Sequence, residues 1–551
     1  MTAYSIPQLK PLPQARPDQI YMVASGDLRI SANQTCWPAQ ADMERKLQAA
    51  FAAEGMTVVR AHPYDESAKH GFICSQRMGM DVFRSIPPEA PVIVAVAVWQ
   101  YSYHVLAGLR DHRGPILTVA NWSGQWPGLV GMLNLNGCLT KMGIRYSTIW
   151  SEDFTDAYFI NGIRQWLKEK QITHDVSHVR DLDLTCLPPE PLNLGTALAQ
   201  QLKREKAILG IFDEGCMGMY NAIIEDELLN TCGIYKERLS QSALIAAMRK
   251  VSDIEAQTAR TWLDQAGMKF NTGTDEASEL TDAQILEQLK MYIAVVRMAD
   301  FFGCDAVGIQ YQQGLIDMCP ASDLAEGLLN DTQRPPVYHA ETGKELFAGK
   351  AVPHFNEVDE GAAVDALVTN RVMTAMNLDP ATTLHDIRWG AHYTGDGIDD
   401  FVWVFEISGA VPPSHLVNGY AGAVSERQPA MYFPRGGGTI KGESKPGEIV
   451  WSRVYVKDGA LHVDMGRGTV VKLPPEEIKF RWESTTEQWP IMSAVLHGVN
   501  RDQLMSRHQA NHIQVVYAPS KELADQALAA KAAMFSEMGI AVHLCGDVKV
   551  G

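Results

Sequence analysis

No run in this sequence approaches the roughly 20 apolar residues that a membrane-spanning helix needs. Its opening, MTAYSIPQLKPLPQARPDQ, is polar and proline-rich, without the apolar centre of a secretory leader. The nine cysteines are scattered and contain no C-x-x-C pair. That excludes a zinc ribbon and argues against a disulfide framework. Basic residues are in the minority: 48 Lys and Arg against 65 Asp and Glu leave a formal charge of −17. Such a field repels nucleic acid and anionic lipid. These absences predict a cytoplasmic protein with reduced thiols, no nucleic-acid partner and no membrane partner. Internal repeats and low-complexity segments are also missing, and so are three enzyme signatures. There is no H-E-x-x-H. The glycines of FPRGGGTI (433–440) are not followed by the Lys-Ser/Thr of a phosphate loop. No G-x-G-x-x-G follows a strand.

What is present is ample core material. The 551 residues are 46% apolar and 21% charged, ordinary globular values that suggest about three domains. QIYMVAS, TVVRAHP, PVIVAVAVW and PILTVAN read as short buried strands. They alternate with helices such as ADMERKLQAAFAAEGM and PGLVGMLNLNGCLTKMG. This predicts a doubly wound α/β domain over 1–203, with an extended arm up to about residue 18. The proline-rich TCLPPEPLNLG (185–195) is the candidate linker. KAILGIF and CDAVGIQYQ, with long helices between, predict a second doubly wound α/β domain over 204–375. Beyond it, FVWVFEIS, EIVWSRVYVKDGALHVDMGRGTVVKL and IKFRWES alternate β-branched and aromatic residues with Gly turns. A mostly antiparallel, barrel-like β domain is expected over 376–551.

Three segments could carry chemistry. In HFNEVDEGAAVDALV, Asn356 can cap a helix, with Asp359 at the capping-box position and Glu357 in the first turn. In TTLHDIRW, a strand-like run ends at His385-Asp386, a usual place for a catalytic acid. In MSRHQANHIQVVYA, His508 and His512 are spaced i, i+4 and would share a face of a helix. For each segment the plainer reading is structural: a helix start, an Asp–Arg pair, a buried imidazole. Trp99, Trp122 and Trp126 lie near expected strand ends, where they could stack on a sugar or fill a core.

Taken in order, these segments resemble the L-fucose isomerase family. DAVGIQYQQGLIDM, NEVDEG, LHDIRW, YFPRGGGTI, SRVYV, VVKLP and QANHI follow the family's order. CMGMYNAIIEDELLNTCGI resembles its second domain, and SGDLRIS, VWQYSYH and SGQWPG match its first domain more loosely. The resemblance implies Glu357, Asp386 and His512 as ligands of Mn²⁺ or another divalent ion, the two carboxylates doubling as the acid–base pair. His508 is the substitute for His512. Arg29, Trp99, Met217, Gln312, Ser408 and Asn511 become substrate-pocket residues, with the glutamine open among Gln310, Gln312 and Gln313. It further implies a homohexamer whose pocket is completed by a neighbouring subunit's first domain. The expected reaction is aldose–ketose isomerisation of a sugar such as L-fucose or D-arabinose through an enediol. Two carboxylates and an imidazole suit Mn²⁺, and a carboxylate beside C1 and C2 can move the proton. The competing readings are the same chemistry on another or anionic sugar, a sugar-binding relative without activity, and a metal-dependent hydrolase or lyase.

Overall fold

The apolar runs near the N-terminus become strands β1 (Gln19–Val23), β2 (Thr57–Arg60), β3 (Val92–Val96), β4 (Ile116–Asn121) and β5 (Ser147–Ser151) in the computed structural model, which describes residues 11–549. They pair in parallel in the order β2-β1-β3-β4-β5. β3 is buried at every position, as a sheet covered on both faces requires. Helices α1 (Ile30–Ala53), α2 (Gln76–Phe83), α3 (Tyr103–Asp111), α4 (Gly128–Lys141) and α5 (Ala157–Glu169) alternate with these strands. The strand order reverses between β1 and β3. In such sheets ligands settle outside the carboxyl ends at that reversal. Arg29 follows β1 and Trp99 follows β3, the two strands that flank this reversal. β5 escaped the sequence reading because its serines and threonine hide a fully buried strand. Part of the expected N-terminal arm, residues 1–10, lies outside the described residues. Residues 11–16 carry no regular structure and are exposed.

The chain divides into two compact units. The first holds residues up to Trp122 together with Ile144–Thr173, and the second holds Ser123–Gly143 together with everything from His174 onward. Helix α4 therefore groups with the second unit, although it lies between β4 and β5 in sequence. Twelve of its 14 residues are buried.

In the second unit, TCLPPEPLNLG is not a linker. Its prolines open helix α6 (Pro189–Glu205), with Pro189 at the first helical position, where a missing N–H costs nothing. Strands β6 (Ala207–Phe212), β7 (Ile234–Leu239) and β8 (Ala306–Ile309) form a parallel sheet in the order β8-β6-β7. Its reversal point lies between β6 and β8. The surrounding helices include α7 (Asp282–Phe302), α8 (Asp323–Leu329) and α9 (Glu360–Ala375).

The last part is a closed antiparallel barrel. Strands β9 (Thr382–Gly395), β10 (Ile398–Glu406), β11 (Gly447–Lys457), β12 (Ala460–Val470), β13 (Ile491–Leu496) and β14 (His512–Ala518) form the ring. It runs β9-β10-β13-β12-β11-β14 and returns to β9. Two of its hairpins turn on Asp396-Gly397 and Asp458-Gly459, all four residues at positive φ. That geometry matches the twist of the flanking strands. Helix α10 (Lys521–Met538) and strand β15 (Ala541–Cys545) close the chain, β15 pairing in parallel with β12. The segment IKFRWES is not a strand. It completes a helix, Pro475–Glu483, that starts on a proline with Glu476 and Glu477 in its first turn. The fold is thus mixed α/β, parallel sheets flanked by helices followed by a six-stranded barrel. Among the described residues, no helix is long and apolar enough to cross a membrane.

Candidate metal centre

Strand register brings two of the expected ligands together. β9 does not end at His385-Asp386; it continues to Gly395, and Asp386 stands directly opposite His512 on β14. Directly opposed residues of an antiparallel pair share a face. The register of β9 against β10 then slips between Ile387 and Trp389, leaving Arg388 in a bulge. His508 does not share a helix face with His512. The helix Arg501–Arg507 ends before it, and His512 begins the strand. His508 instead approaches the His512 carbonyl through Nε2 at 2.8 Å. Burial holds the His508 imidazole down at about 4, so it is a neutral structural group.

Glu357 arrives by a different route. The helix cap is Asp359, not Asn356: its carboxylate accepts from the Ala362 N–H at 3.1 Å, and α9 starts at Glu360. Glu357 therefore precedes the helix, in a tight turn where Glu357 and Val358 have φ of 58° and 54°. A β-branched residue in the left-handed region is an outlier, and each such residue stores about 1–3 kcal/mol. This turn packs against the turn Cys216–Gly218, which follows β6 and carries Met217.

The two carboxylates approach one imidazole nitrogen. His512 Nε2 lies 3.6 Å from Asp386 Oδ1 and 3.7 Å from Glu357 Oε2. His512 is 2% exposed, whereas the Glu357 and Asp386 side chains keep 13% and 19% of their surface. The other imidazole nitrogen, Nδ1, is 2.6 Å from Asp359 Oδ2, which is also held by Arg453 at 2.5 Å. Burial alone would raise the Asp359 carboxyl and lower the imidazole. Arg453 and His512 outweigh it for Asp359, which is held well below the usual carboxylate range. The hydrogen bond to Asp359 and the charges of Asp359, Asp386 and Glu357 raise His512. Asp386 is itself raised, chiefly by burial.

Of the pocket residues, Gln312 and Asn511 touch the carboxylates. Gln312 Nε2 donates to Glu357 Oε1 at 3.2 Å, and Asn511 Nδ2 donates to Asp386 Oδ1 at 3.0 Å. Gln310 and Gln313 turn elsewhere: Gln310 Oε1 accepts from the Gln313 N–H, and Gln313 Nε2 donates to the Gly215 carbonyl. Ser408, just beyond β10, donates to Asp323 Oδ1 at 2.9 Å. Arg29 and Trp99 belong to the first unit. There Arg29 Nε donates to Asp27 Oδ1 at 2.8 Å, and the Trp99 indole N–H is buried without a hydrogen-bond partner. Sequence reasoning missed Arg453 and saw Asp359 only as a helix acid. The signal for Arg453 was a lone cation inside the buried strand run SRVYV.

The donor set fits a divalent cation of the Mn²⁺ kind: two carboxylates, one imidazole, and an outer carboxylate that fixes the imidazole tautomer. The spacing is open. Donors on neighbouring corners around an ion with bonds of about 2.1 Å stand about 3 Å apart. Among the described residues, no group of three or more His, Cys, Asp or Glu side chains is placed to hold a metal ion as it stands, so these three would have to draw together around one.

Residues 418–534 match the family described as L-fucose isomerase, C-terminal domain. The match includes Asn511 and His512 and stops short of Glu357 and Asp386. No curated protein matches the chain.

Proposed function

From the premise that the chain belongs to the L-fucose isomerase family, we propose that it is a divalent-metal-dependent aldose–ketose isomerase, with Glu357, Asp386 and His512 as ligands. The convergence of both carboxylates on His512 Nε2, from segments far apart in the chain, carries this reading. A bound Mn²⁺ would polarise the sugar carbonyl and its neighbouring hydroxyl. The chain's own groups do the rest. One of Glu357 and Asp386 takes the proton from C2 of the open-chain aldose, and the resulting enediol is reprotonated at C1 to give the ketose. Gln312 and Asn511 hold the two carboxylates in place, and Asp359 fixes the imidazole. By the family resemblance, the working form is a homohexamer.

A neutral sugar is the first reading: of the four arginines that could pair with an anion, Arg29 pairs with Asp27, Arg388 with Glu406 and Arg507 with Asp464, while Arg435 is exposed. L-Fucose and D-arabinose are the first substrates to assay. The expected result is ketose formation that chelator abolishes and Mn²⁺ restores, with deuterium entering the product carbon skeleton from D₂O. Chelator-resistant turnover, or product free of deuterium, would falsify the mechanism. Stoichiometric Mn²⁺ binding without turnover of any aldose would point to a sugar-binding relative.

A further inference from the structure

The left-handed turn at Glu357-Val358 needs restraint at both ends, because each residue relaxes if its neighbours release it. The far end is held by Asp359, through the α9 cap, Arg453 and His512. The near end is stitched to the second sheet. The Phe355 N–H donates to the Val307 carbonyl at 3.0 Å, and the Val307 N–H to the Pro353 carbonyl at 2.9 Å. Asn330 closes a pair of bonds around His354, accepting from its N–H at 2.7 Å and donating to its carbonyl at 3.2 Å. The last fixed point before the turn is Asn356, which is fully buried. Its Nδ2 donates to Glu326 Oε2, and the other Glu326 oxygen accepts from Ser322 Oγ. Glu326 is 3% exposed and sits on α8, an element that supplies none of the proposed ligands. Burial pushes the Glu326 carboxyl well above its ordinary range, and besides Asn356 and Ser322 it faces the His354 Nδ1 at 3.8 Å; burying such a polar group is costly unless the asparagine it bonds must not move.

We propose that Glu326 is a positioning residue: by clamping Asn356 it holds the left-handed turn that aims Glu357 at His512 Nε2. The proposal rests on the metal-ligand reading of Glu357, and it separates from that reading experimentally. Glu326→Gln keeps an acceptor for Asn356, and the Ser322 hydroxyl can rotate to accept from the new amide. Glu326→Leu removes the clamp at similar volume. Two measurements on the full chain decide it. In the chelated protein, peptide-level hydrogen exchange across 353–362 should speed up at least tenfold in Glu326→Leu and Asn356→Ala, and by less than twofold in Glu326→Gln. In Mn²⁺ titrations followed by electron paramagnetic resonance, affinity should fall tenfold or more in Glu326→Leu and in Asn356→Ala. The double variant should be no worse than either single one, because both cut the same link. Glu326→Gln should stay within threefold of the unsubstituted protein. Unchanged exchange in Glu326→Leu overturns the clamp whatever the metal result. Accelerated exchange in a protein that binds no Mn²⁺ leaves the clamp standing and removes the metal reading. Losses that multiply in the double variant overturn the proposal.

Discussion

At the scale of single residues, the candidate centre depends on pairs that cross between barrel and helix. Asp359 touches both halves: it caps α9 two residues after Glu357 and bonds the His512 imidazole. Replacing it with alanine should therefore act twice. The Arg453 guanidinium, 2% exposed, loses its partner in a buried pair, a loss that costs about 3–5 kcal/mol. Denaturant unfolding should register that. Independently, Mn²⁺ affinity should drop by about 10–100-fold as the imidazole loses its orientation. Glu357→Gln and Asp386→Asn should behave differently. Both keep shape while removing a ligand charge and the proton-moving group, so turnover should fall by at least about 10²–10⁴-fold with the unfolding midpoint nearly unchanged. Turnover above a tenth of the original in either variant would contradict their assignment.

At the scale of elements, helix α4 bears on the histidine-carrying segment. A Cβ on Gly137 would stand 2.2 Å from the Gln509 carbonyl oxygen, and Thr140 Oγ1 already donates to Gln509 Oε1 at 2.6 Å. Gly137→Ala must push Gln509, three positions before His512. It should cost about 1–3 kcal/mol by overpacking and lower kcat through displacement of His512, with circular dichroism unchanged. How much of this was legible depends on the element. Continuous apolar runs identified β1, β3, β4, β6 and β8, and alternating β-branched and aromatic residues with Gly turns identified the β-rich stretch that holds β10, β11 and β12, whereas β9 was read as ending nine residues early, at Asp386. The prolines of 188–191 and 474–475 misled in the same way twice. Each was read as a break or overlooked, whereas proline at a helix start is compatible with everything after it. The site was legible as residue types in order. Its geometry was not, because the register of β9 against β14 and the positive φ of Glu357 are consequences of tertiary packing. The i, i+4 spacing of His508 and His512 pointed to a helix that had already ended.

At the scale of the molecule, buried neutral histidines set a limit on acid tolerance. In the first unit, burial lowers His62 to about 3 and His104 to about 4. The His62 Nε2 is occupied as acceptor for the Ala24 N–H at 3.1 Å. The unfolded chain takes up these protons near 6.5, the folded chain only near 3 to 4. Stability is then full above about pH 6.5 and falls as pH drops below it, by about 1.4 kcal/mol per pH unit for each such group. Urea titrations at pH 7, 6 and 5 should follow that slope. His62→Gln, which can keep an acceptor for Ala24, should flatten it, and an unchanged slope would mean His62 does not contribute.

Because residues 123–143 are counted with the second unit while the segments on either side belong to the first, neither unit is one uninterrupted stretch of chain. A chimaera that takes its first 173 residues from one relative and the remainder from another would import a foreign α4 into the second unit's packing. Grafts that take this insert from the same relative as the second unit should fold and accumulate as soluble protein far more often than straight cuts, and a library of such crossovers, scored for soluble yield, would reveal the discontinuity as a gap in the tolerated breakpoints.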